Sequence, residues 1–104
     1  MADYDLVIRN GTVVTAADTQ ECDVGIKDGV VATLGRGLAG GAHEIDASGR
    51  LVLPGAIDSH CHIEQKSSAG VMCADDFYSA TVSAAFGGTT TVIPFACNAA
   101  TKCV

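Results

Sequence analysis

The first fifty residues alternate between short apolar runs and glycine-bearing turns, the signature of strands. Asp5-Leu6-Val7-Ile8 is followed by Asn10-Gly11 and then Thr12-Val13-Val14. Asp23-Val24-Gly25-Ile26-Lys27 is followed by Asp28-Gly29 and then Val30-Val31-Ala32-Thr33-Leu34. Both dipeptides favour the left-handed backbone of a tight turn, so each predicts a β-hairpin. The stretch 35–41 carries four glycines and predicts a loop. His43 precedes a short strand, Glu44-Ile45-Asp46, and Ser48-Gly49 makes the next turn. This half predicts a small β-sandwich or part of one.

The pattern changes after Pro54-Gly55. Ala56 to His60 predicts a buried strand, and residues 63–74 a loop rich in Ser, Gly and Ala. Asp75 is the expected N-cap of a helix, with Asp76 in its first turn. Phe77, Ala80, Thr81, Ala84 and Ala85 recur at helical spacing, and Gly87-Gly88 stops the helix. Thr89-Thr90-Thr91-Val92-Ile93-Pro94-Phe95 is β-branched and apolar, hence a strand. Strand, loop, helix and strand make a βαβ unit, which implies parallel pairing and the opening of a larger α/β structure.

Composition sharpens this picture. Of 104 residues, 48% are hydrophobic and 12 are glycine, a high apolar content for so small a chain. Small domains carry much surface, so the excess predicts burial against a partner or against further chain. With 12 acidic residues against 6 Lys and Arg, there is no basic patch for nucleic acid or an anionic membrane. No apolar stretch reaches the length of a membrane span, and the N-terminus lacks the pattern of a signal peptide. Five cysteines without framework spacing predict a reduced, cytoplasmic chain.

Chemistry concentrates in Asp58-Ser59-His60-Cys61-His62. On a strand, residues two apart share a face, which places Asp58, His60 and His62 on one side and Cys61 on the other. Two imidazoles so spaced on rigid backbone can grip one metal ion. The same pattern also fits two buried, hydrogen-bonded histidines, or a Cys2His2-like set that adds Cys61 and Cys73. Asp58 either orients a histidine or serves as a polar residue that ties down the strand. Cys22, Cys97 and Cys103 read as small core or tail residues.

In order and spacing these residues resemble the cyclic amidohydrolases, most closely the N-terminal portion of the dihydropyrimidinase and D-hydantoinase group. The matching pieces are Leu6-Val7-Ile8-Arg9-Asn10-Gly11-Thr12-Val13-Val14, Asp23-Val24-Gly25-Ile26-Lys27-Asp28-Gly29 and Ile45-Asp46-Ala47-Ser48-Gly49-Arg50. They continue with Leu53-Pro54-Gly55-Ala56-Ile57-Asp58-Ser59-His60-Cys61-His62, Asp75-Asp76-Phe77-Tyr78 and Gly87-Gly88-Thr89-Thr90, covering about positions 4–97.

The resemblance implies an α/β fold: a β-sandwich portion over 1–53, then the first βαβ unit of a (β/α)8 TIM barrel over 54–97. Residues 98–104 are an atypical tail. It also implies a two-zinc centre, with His60 and His62 holding one ion, and hydrolysis of a cyclic ureide or amide at a ring C–N bond. Full-length relatives are expected to be homo-oligomers. The carboxylated lysine, two further histidines and catalytic aspartate that complete such a site would lie on later strands, so no catalytic residue is expected in this stretch. The chain alone is therefore expected to be inactive and truncated. The rival expectation is a non-catalytic fragment that pairs with full-length homologues through strand edges.

Overall fold

A computed structural model describes residues 2–67 and 69–96, so the tail at 98–104, with Cys97 and Cys103, lies outside the described residues. The chain divides into two compact units, Met1–Pro54 and Gly55–Val104.

The first unit is a mixed sheet of five strands: β1 (Tyr4–Val14), β2 (Thr19–Lys27), β3 (Val30–Gly35), β4 (Gly41–Asp46) and β5 (Leu51–Val52). Strand β1 is central. Antiparallel β2 takes one edge, with β3 antiparallel beyond it. Parallel β4 and β5 follow each other along the other edge of β1. Among the described residues this unit holds one sheet and not the two of a complete sandwich.

The Asp28-Gly29 hairpin forms: Lys27 pairs with Val30, and the two turn residues have φ of 51° and 75°. The Asp5 carboxylate braces this tip, accepting from the Asp28 N–H at 2.6 Å and from Lys27 Nζ at 2.9 Å.

The expected Asn10-Gly11 hairpin does not form. Strand β1 runs straight through both residues, and a bulge lies between Ile8 and Gly11 with Asn10 at φ 59°. The same left-handed preference that builds a two-residue turn also builds a bulge. The outcome is set by what lies across the strand. Ile8 pairs with Val24 and Gly11 with Cys22, so three residue steps of β1 span two of β2. Ile8 and Val13 stand five apart and would face opposite ways on a regular strand. Here both pack with Val24, Cys22, Ile26 and Val52 in one apolar cluster.

On Gly11 the packing is close, because a Cβ there would lie 2.5 Å from Val52 Cγ2 and 3.2 Å from the Ala47 Cβ. Val7 is fully buried. His43, expected just before β4, sits within it and is exposed.

The second unit is β6 (Ala56–Cys61), α1 (Phe77–Phe86) and β7 (Thr89–Pro94). Strands β6 and β7 pair in parallel, which completes the predicted βαβ unit. The helix is capped one residue later than expected. Asp76 is the N-cap, its carboxylate accepting from the Ser79 N–H at 2.7 Å while Ser79 Oγ accepts from the Asp76 N–H at 3.2 Å. Asp75 instead accepts from the Ser79 hydroxyl at 3.1 Å. Gly87 caps the helix end, and Gly88 turns the chain out at φ 84°.

Strand β6 is not buried as expected: Ile57 is 66% exposed and Phe86, at the end of α1, is 91% exposed. Two strands and one helix cannot cover their own apolar side chains. No helix among the described residues is long and apolar enough to cross a membrane.

Candidate metal site at the end of strand β6

The β6–β7 pairing is parallel, so both strands end at the same edge. His60 and His62 stand at that end of β6, and Phe95 follows β7 there, its N–H donating to the Cys61 carbonyl at 3.2 Å. The two imidazole centroids are 5.5 Å apart, with ring planes at 66°. Phe95 touches both rings. It stacks on His62 at 4.6 Å with planes 8° apart, and meets His60 edge-on at 4.8 Å.

Asp58 acts on the main chain, its Oδ1 accepting from the His60 backbone N–H at 3.0 Å. The carboxylate therefore fixes the strand end on which His60 sits, by way of the backbone and not the imidazole.

The loop after His62 folds back on itself. Glu64 takes a left-handed φ of 50°, its N–H donates to the Asp75 carbonyl at 3.1 Å, and Cys73 donates to the Gln65 carbonyl at 2.8 Å. Ile63 and Gln65 are both buried in this loop. The Gln65 side chain reaches back to the preceding histidine, and its Oε1 pairs with His62 Nδ1. Neither Gln65 nor Phe95 is marked as part of the site by the sequence pattern. The three-residue step from His62 to Gln65 is a usable signal for the first, whereas Phe95 comes close only through the parallel register.

Among the described residues no three His, Cys, Asp or Glu side chains gather as a metal-holding group. The Cys61 and Cys73 thiols are free and half-buried, and they do not complete a Cys2His2 set. The donors brought together are the two imidazoles.

A D-hydantoinase from Geobacillus stearothermophilus is 51% identical over 90 residues, covering 86% of this chain and 19% of its own length. The chain is a homologue of the D-hydantoinases. A solved D-hydantoinase from a Bacillus sp. AR9 superposes with a TM-score of 0.83 at 46% identity, covering 93% of this chain and 21% of that one. A dihydropyrimidinase from Rattus norvegicus is 45% identical over 97 residues, covering 88% of this chain and 18% of its own length. No protein-family model matches the sequence. The chain thus spans about one fifth of the length of its hydantoinase relatives. Its mostly β-strand fold is matched to the structures of those enzymes over most of its length.

Proposed function

We propose that this chain is the portion of a cyclic amidohydrolase that begins its metal centre, with His60 and His62 as ligands of one zinc ion. The observation that carries the reading is the neighbouring pair of imidazoles at the shared C-terminal edge of a parallel β6–β7 pair. That edge is where α/β barrels place their chemistry. Neutral imidazole suits zinc, and two rings supply half of the usual four ligands. In such a site, zinc activates water and the amide carbonyl for hydrolysis near neutral pH.

The residues of this chain hold and orient the ion's ligands: Asp58 fixes the backbone under His60, and Phe95 limits the swing of both rings. The βαβ unit is read as the opening of a (β/α)8 barrel, a reading supported by its bare apolar side chains and its likeness to hydantoinases. The substrate class is a cyclic ureide or amide, opened at a C–N bond. The complete enzyme is read as a cytoplasmic homo-oligomer.

The isolated chain should not hydrolyse such rings, because two imidazoles leave the metal's coordination half filled and the resemblance places the remaining ligands and the catalytic aspartate on later strands. Zinc added to the chain and followed by histidine ring NMR should shift His60 and His62 together, leaving His43 as an unmoved control. Equal shifts at all three rings, or none up to millimolar zinc, would overturn the metal assignment. Zinc-dependent opening of dihydrouracil or a hydantoin by the chain, lost in His60→Ala, would overturn the assignment of inactivity.

The exposed Ile57, Ile93 and Phe86 favour a second reading, association with full-length homologues. Co-purification with such a homologue supports it, and a monodisperse monomer in its presence refutes it.

A further inference from the structure

We infer that Gln65 is a positioning residue that sets the tautomer of His62 and so selects which ring nitrogen is free to bind. The inference rests on the zinc assignment for its purpose, but on the Gln65–His62 contact itself for its geometry. A carbonyl oxygen can only accept, so the Gln65 Oε1–His62 Nδ1 pair puts the proton on Nδ1 and leaves the lone pair on Nε2.

Three features make this contact a fixture of the site. Gln65 is buried, at 8% exposure, so water does not compete freely for its amide. Its main chain is held by the Cys73 N–H, and the left-handed Glu64 turns the loop so that Gln65 comes back toward His62. Phe95 lies flat against the imidazole, its ring nearly parallel, which restricts rotation about χ2. One residue fixes the proton and the other fixes the plane.

A glutamine can also present its NH2 group. The reversed arrangement, in which the amide donates to Nδ1, would put the histidine proton on Nε2 and close that nitrogen to a metal. The two arrangements differ in a property that can be read without any metal present.

The test is long-range 1H–15N correlation of the histidine rings in the metal-free 104-residue chain at about pH 9. His62 should be the Nδ1–H tautomer in the wild type and in Gln65→Glu, whose carboxylate also accepts. In Gln65→Leu the Nε2–H form, which free imidazole prefers, should become the major species, while His60 and His43 keep their wild-type patterns. Zinc added afterwards should bind Gln65→Leu about tenfold more weakly, the lower end of the range for losing a partner of a metal-ligating histidine.

An Nε2–H His62 in the wild type, or the same tautomer ratio in wild type and Gln65→Leu, overturns the inference. An unchanged zinc affinity beside a lost tautomer overturns its link to metal binding. If zinc binds neither protein while the tautomer responds as stated, the metal assignment fails and the positioning role of Gln65 stands.

Discussion

The Asp23 carboxylate accepts the main-chain N–H of Asn10 at 3.0 Å, which ties the bulge of β1 to the middle of β2. Its other oxygen accepts from the Leu38 N–H at 3.2 Å and faces Arg9 Nη1 at 3.2 Å. Arg9 in turn grips Glu44 with two nitrogens, at 2.6 and 3.2 Å, and donates to the Leu38 carbonyl at 2.7 Å. One buried carboxylate therefore joins β1, β2 and the loop before β4. Asp23→Ala leaves the Asn10 amide without its partner, and should cost about 2 kcal/mol in urea unfolding of the chain.

Acid should weaken the fold through the same group. The Asn10 amide first, then the Leu38 amide and Arg9, hold the Asp23 carboxyl below the ordinary aspartate value, against the opposing effect of burial. Bonding to Arg9 lowers Glu44 likewise, and the Ser48 hydroxyl lowers Asp46. A folded-state value below the unfolded one gives stability that is complete above the unfolded value and lost as pH falls through the folded one. Melting temperature should therefore hold level from pH 7 to about 5, then drop below about pH 4. Asp23→Asn should flatten that drop, and an equally steep decline in the variant would contradict this assignment.

Gly25 lies beneath the Tyr4 ring. A Cβ at Gly25 would stand 2.6 Å from Tyr4 Cε1, while the Tyr4 hydroxyl donates to Thr33 Oγ1 at 3.2 Å and resists displacement. Gly25→Ala should destabilise the chain by about 1–3 kcal/mol. Adding Tyr4→Ala should recover part of that loss, which a double-mutant cycle by urea denaturation would detect.

At the start of α1 the two adjacent aspartates do different jobs. Asp76→Ala removes the acceptor for the Ser79 amide, whereas Asp75→Ala removes only an acceptor for the Ser79 hydroxyl. Hydrogen exchange at the Ser79 amide should speed up markedly in the first variant and little in the second.

His60→Ala and His62→Ala should each lower zinc affinity at least about tenfold, measured by competition with a chromophoric chelator. His43→Ala should leave it unchanged, since that ring stands exposed on β4.

Much of the fold was legible in the sequence because its signals are local. Asp28-Gly29 built the turn it predicts, and Gly87-Gly88 ended the helix where the apolar period stops. Asn10-Gly11 carried the same left-handed preference and formed a bulge, since pairing with β2 on both sides of it decided the matter. The choice of Asp76 over Asp75 as the cap turned on Ser79, a residue three positions away whose side chain could answer it. In the site, two-residue spacing placed His60 and His62 together. Spacing could not reveal Phe95, which arrives by register across a parallel pair, or Gln65, which arrives by a loop folding back.

Removing Asn10 from the chain would restore plain alternation, and Ile8, Gly11 and Val13 would still fall on one side by counting in twos. The irregularity in β1 is therefore dispensable for hiding oily side chains. What it contributes is a hydrogen aimed at a submerged negative charge, so a chain shortened by that single residue should keep its interior and lose its tolerance of the Asp23 carboxylate.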